Sequence, residues 1–221
     1  MSVEALILAA ASAVRPSTSL AAVYALLSSP SPRVPLAAFV AAGLTFSVAI
    51  GILVVTVLHG VDLPGGPSER TAVVDILAGT AMLGFAVGVG SGRMRRPGER
   101  RTPGGERRIV TMLRRPSPRV AAVAGVATHV PGLFYLVALN SIASGQPRTG
   151  QAIVEVLAYN AIWFSVPIAA FVLLGRPGSE TLARVTRVND WARRHEQALL
   201  VAVFAAVGAY LAVKGVAGLR G

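Results

Sequence analysis

Cysteine is absent from the 221-residue sequence, which excludes disulfides, zinc–thiolate centres and thiol redox chemistry. Charge is also scarce. Only 14% of the residues are charged and 53% are hydrophobic, where a soluble domain carries about 25% charged residues. The mean hydropathy is +0.62, and a water-soluble fold of this length has too little interior to hide so much apolar surface. Catalytic constellations are missing as well: there is no nucleotide-binding glycine loop, no HExxH pattern and no metal-ligand spacing. The histidines His59, His129 and His195 lie in different segments. The chain therefore reads as a non-enzyme with no metal and no cofactor.

Long apolar runs take the place of those features. A helix needs about 20 apolar residues to cross a bilayer, and six such spans are predicted: Ala5 to Leu27, Leu36 to Leu58, Ala72 to Gly90, Val120 to Ala143, Ala152 to Leu174, and Ala198 to Val216. The fold class is all-α integral membrane. The first span has a competing reading, since Ala5 to Val14 ends near Ala11-Ser12-Ala13 in the manner of a signal peptide. Against it, Glu4 precedes the run with no positive charge, and the apolar pattern resumes at Leu20.

A net charge of +11 would suggest nucleic acid in a soluble protein, but here most of the basic residues sit in two loops. Ser91 to Arg119 holds ten arginines and Gly175 to Gln197 five more. Basic residues near spans stay on the cytoplasmic side, so both loops are placed inside with Arg33, and both termini outside, in a multi-pass protein of the cytoplasmic (inner) membrane. Nucleic acid is excluded as a partner on the same ground. Arg93 to Gly105 has a disordered composition. Leu182, Val185, Val188 and Trp191, spaced among arginines, fit either a short helix on the membrane surface or a solvated connector.

The halves resemble each other. Ala11-Ser12-Ala13-Val14-Arg15-Pro16 lies over Val126-Ala127-Thr128-His129-Val130-Pro131, and the second span then lies over the fifth without a gap. Three spans per repeat is odd, so the predicted arrangement is two inverted three-helix repeats, 1–91 and 120–221, joined by a basic loop, 92–119. Inverted repeats recur in transporters, with the substrate at their interface near mid-membrane.

Each first helix is interrupted by proline, which removes a backbone hydrogen bond and clashes with the preceding turn. Pro16 is followed by Ser17, Thr18 and Ser19, and Pro131 by Gly132. A restarted helix presents N–H groups suited to an anion, although a packing kink explains the same pattern. Arg15 falls near the middle of the first span, where a charge costs about 2.5–3.5 kcal/mol, and His129 sits at a similar depth. These residues, with Tyr159 and Asn160 of the fifth span, form the predicted substrate-binding set. Asp75 and Glu155 have more than one reading: hydrated residues at the outer boundary, or groups that pair with Arg15 or carry a coupling proton. Gly84, Gly88, Gly90 and Gly92 read as helix packing.

The second half carries a family pattern in Gly150-Gln151-Ala152 through Tyr159 to Pro167, then Leu174-Gly175-Arg176-Pro177, Leu182, Trp191, His195 and Gly208. In the first half Pro16, Ser29 to Arg33, Ala37-Ala38-Phe39 and Gly43 continue it. Over nearly its whole length the chain resembles the peptidoglycolipid-addressing protein family, whose relatives include the sulfolipid-addressing proteins, within the lysine-exporter superfamily of six-helix transporters. The resemblance implies export or translocation of a lipid or glycolipid across the cytoplasmic membrane. Membrane lipids, envelope-lipid synthesis or export proteins and further copies of the chain are the expected partners. Two alternatives stand beside it: an exporter of a small solute such as an amino acid or cation, and a non-transporting scaffold acting through the arginine-rich loop.

Overall fold

The structure, a computed structural model, describes residues 2–14, 18–60, 67–93, 117–144, 148–174, 187, 190–191 and 194–220, except for the side chains of residues 14, 18–20, 58–60, 67, 68 and 70. Every regular element among these residues is helical: α1 (Val3–Val14), α2 (Thr18–Leu27), α3 (Arg33–Gly60), α4 (Pro67–Gly90), α5 (Pro118–Thr128), α6 (Leu133–Ser144), α7 (Thr149–Trp163), α8 (Ser165–Leu173) and α9 (Glu196–Arg220). At about 1.5 Å per residue, α3, α4 and α9 are long and apolar enough to cross a membrane. The count becomes five if the bent pairs α5–α6 and α7–α8 each form one span. The long helices leave most of their surface outside the bundle, with apolar side chains such as Leu53, Leu77, Val87 and Val213 pointing outward. Hydrocarbon is the solvent that suits that surface, so the chain is an integral membrane protein.

Sequence accounts for where these helices start and bend. Pro67 and Pro118 stand at first helical positions, where a missing N–H costs nothing. The Ser117 hydroxyl accepts the Val120 N–H at 3.3 Å and caps α5. Between α5 and α6 the direction changes by 66°. Pro131 causes this, because its ring collides with the carbonyl four residues earlier, just before α5 ends at Thr128. The predicted fourth-span break is therefore present. A second bend, of 60° at Phe164 between α7 and α8, corrects the expectation that only the first helix of each half is interrupted. Pro167 has the same effect one turn upstream, against the Trp163 carbonyl. The first span divides into α1 and α2 on either side of residues 15–17, which lie outside the described residues.

Small residues set the closest helix crossings. In the α4–α9 pair a Cβ on Gly79 would lie 2.7 Å from Gly208 O, and one on Gly215 would lie 2.6 Å from Ala72 O. In the α3–α5 pair a Cβ on Gly125 would fall 2.2 Å from Phe39 O. The glycines chosen from the sequence are not these: Gly84 and Gly92 face open space and Gly90 is in ordinary contact. The starts of α3 and α9 gather with the ends of α4 and α8 at one end of the bundle, where Arg33 donates to Leu174 O and Gln197 to Val89 O. Of the surface segment predicted around Leu182 to Trp191, the described part includes Trp191, half exposed and packed at a tilt against the His195 ring.

Candidate functional site

The bundle centre holds a polar network built by α1, α3, α6 and α7. Ser47 Oγ of α3 donates to Asn160 Oδ1 at 2.5 Å, and Asn160 Nδ2 donates to Val156 O at 2.8 Å and to the Tyr135 hydroxyl at 3.1 Å. Tyr135 in turn donates to Ser47 O at 2.8 Å, which closes a ring of hydrogen bonds between α3, α6 and α7. Beside it the Tyr159 and Ser12 hydroxyls are 2.6 Å apart and pin α1 to α7. Ser47, Tyr159 and Asn160 are fully buried. In hydrocarbon a polar side chain needs such partners, and this ring leaves no donor or acceptor of Ser47, Tyr135 or Asn160 among the unpaired buried atoms.

Aromatic rings continue from that ring to the α5–α6 break. Trp163 lies 5.3 Å from both Tyr135 and His129, and His129 stacks on Phe164 at 4.0 Å with Phe39 at its edge. His129 is buried, and its Nδ1 donates to Gly125 O at 2.9 Å. A carbonyl oxygen can only accept, so Nδ1 carries a hydrogen. Proline bends position all of this: Pro131 ends α5 at His129, and Pro167 ends α7 at Trp163 and Phe164, so both breaks deliver rings to one place.

The structure thus brings together His129, Tyr159 and Asn160 from the predicted site, with Pro131 and Gly132 forming the turn beside them. Arg15, Pro16 and Ser17 lie outside the described residues, and Thr18 and Ser19 are described only as the backbone start of α2. Sequence reasoning missed Ser12, Ser47, Tyr135 and Trp163. The usable signal was present, since each is a polar or amphipathic side chain within an apolar run.

A second cluster lies at the end of the bundle where α1 and α4 begin and α6 and α9 finish. Lys214 Nζ of α9 is 2.5 Å from Glu4 Oε2 of α1 and 2.7 Å from Asp75 Oδ2 of α4, while Ser141 of α6 donates to Glu4 Oε2 at 2.9 Å. Lys214 is therefore part of the packed bundle. Asp75, 1% exposed, and Glu155, 8% exposed, are both buried, which corrects their reading as hydrated boundary residues. Asp75 takes Lys214 as its partner. Glu155 accepts from Gln151 at 3.2 Å within α7. Among the described residues no group of acidic, histidine or cysteine side chains has a metal-holding arrangement.

A family model described as Sap, sulfolipid-1-addressing protein, matches residues 5–217. No curated protein and no solved structure matches the chain.

Proposed function

The chain belongs to the sulfolipid-1-addressing protein family, and on that premise we propose that it exports or translocates a lipid or glycolipid with a polar or anionic head group across the cytoplasmic membrane. The family match over almost the full length carries this reading. In the proposed architecture six spans form two inverted three-helix repeats, with α1–α2 and α5–α6 as the broken first spans, and both termini outside. The helix pairings support it. Exchanging the halves maps α1 against α6 onto α5 against α2, and α3 against α5 onto α7 against α1, all of which are packed pairs. The α4–α9 and α3–α7 pairs map onto themselves.

The head group would meet Arg15 and the α6 start at Gly132, where first-turn N–H groups have no helical partner, beside the aromatic wall of His129, Trp163 and Phe164. Acyl chains would stay in the bilayer. Surface-lipid extraction from cells that depend on this protein tests the reading: Arg15→Ala is expected to shift lipid from the surface to the inner membrane at normal protein level. His129→Phe keeps the ring packing while removing the Nδ1 bond, and is expected to reduce export less. Unchanged surface lipid in both variants removes the proposed site, and loss of export on deleting residues 93–108 alone would favour the scaffold reading instead.

A further inference from the structure

Four helices separated widely in sequence converge on one charged group. Glu4 stands in the first turn of α1, Asp75 in α4, Ser141 near the end of α6 and Lys214 in α9. Two carboxylates share a single ammonium, so with ordinary ionisation the cluster carries one uncompensated negative charge. Burial makes that arrangement unfavourable, because a charge inside a low-dielectric bundle needs a counter-charge or a proton. Each carboxylate uses only one oxygen. Glu4 Oε1 and Asp75 Oδ1 are buried and have no hydrogen-bond partner, and the two side chains are 5% and 1% exposed.

We propose that Glu4, Asp75 and Lys214 form a proton-binding site in which the two carboxyl groups hold one exchangeable proton beside the lysine. Protonation of either carboxylate makes the cluster neutral, and the proton is taken from water at this end of the bundle. Lys214 is the member that reaches the surface, with its side chain 36% exposed. No other charged side chain among the described residues lies within ion-pair distance of the three. Glu155 of α7, which packs on α1, is engaged by Gln151. As the coupling site of an exporter this cluster rests on the transport reading above; as a proton site it does not.

The purified full-length protein in lipid nanodiscs tests it with dicyclohexylcarbodiimide, which modifies carboxyl groups that are protonated in apolar surroundings, read by peptide mass spectrometry. Glu4 or Asp75 is expected to be labelled at neutral pH, with severalfold less labelling in alkali. In Asp75→Asn the remaining Glu4–Lys214 pair is neutral without a proton, so Glu4 labelling is expected to be lost, and Glu4→Gln is expected to do the same to Asp75. Lys214→Met should carry labelling into alkaline pH. Absence of labelling in the native protein, labelling independent of pH, Glu4 labelling retained in folded Asp75→Asn, or protection by sodium ions at fixed pH each overturns the proposal. Labelling reads the isolated protein, so its failure is distinct from a failure of lipid export in cells.

Discussion

Two polar clusters in one apolar bundle differ in how completely they are satisfied. The central one is neutral, and Ser47, Tyr135 and Asn160 engage one another in a closed ring. The cluster at the bundle end sets two carboxyl groups against one ammonium and leaves two buried carboxyl oxygens unpaired. In hydrocarbon a complete ring locks helices together and has no reason to change state. An incomplete charged group can lower its energy by taking something up. The contrast separates polar residues that hold the fold from polar residues that are able to respond.

The strongest way to break that contrast is Lys214→Met. It strands two buried carboxylates, and a loss of about 3 kcal/mol is expected, the low end for breaking a buried pair because the ammonium is partly exposed. Reversible unfolding in mixed micelles would read it. Adding Glu4→Gln and Asp75→Asn should restore most of the loss; a triple variant as unstable as the single one would show that lysine packing, not charge, is at issue. At the centre, Gly51→Ala puts a Cβ where the Tyr135 hydroxyl now lies, 2.1 Å away. Displacing that hydroxyl from Ser47 and Asn160 is expected to cost about 2 kcal/mol in the same assay.

Smaller effects sharpen the comparison. Asn160→Ala removes three hydrogen bonds, yet membrane hydrogen bonds are individually weak and the expected loss is about 1 kcal/mol, independent of pH. A pH-dependent loss would mean that the central ring titrates through another group. Ser12→Ala should be smallest, about 0.5 kcal/mol, because Tyr159 keeps the Leu8 carbonyl at 3.4 Å.

Much of the fold was legible because membrane insertion imposes rules that act along the chain. The second, third and sixth spans were predicted within a few residues of α3, α4 and α9, since length and apolarity decide a crossing. The break at Pro131 was legible from proline itself. Pro167 carried the same signal without being used, because the repeat argument directed attention to first helices alone. At the site, Tyr159 and Asn160 were found as polar residues in an apolar run. Their partners Ser47 and Ser12 were not, since a single hydroxyl in a membrane helix can satisfy itself on its own backbone, as Thr128 does with Ala124 O.

By itself the sequence determined that the chain belongs in a bilayer, roughly where its helices run and where proline must bend them. All of these follow from the transfer of side chains and backbone amides into hydrocarbon one segment at a time. Tertiary structure alone decided that Glu4, Asp75 and Lys214 meet, that Gly79 and not Gly84 admits a neighbouring helix, and that two proline bends bring His129 and Phe164 face to face. The physical reason is that these contacts depend on the rotation and crossing of separate helices, set by which small residues allow close approach.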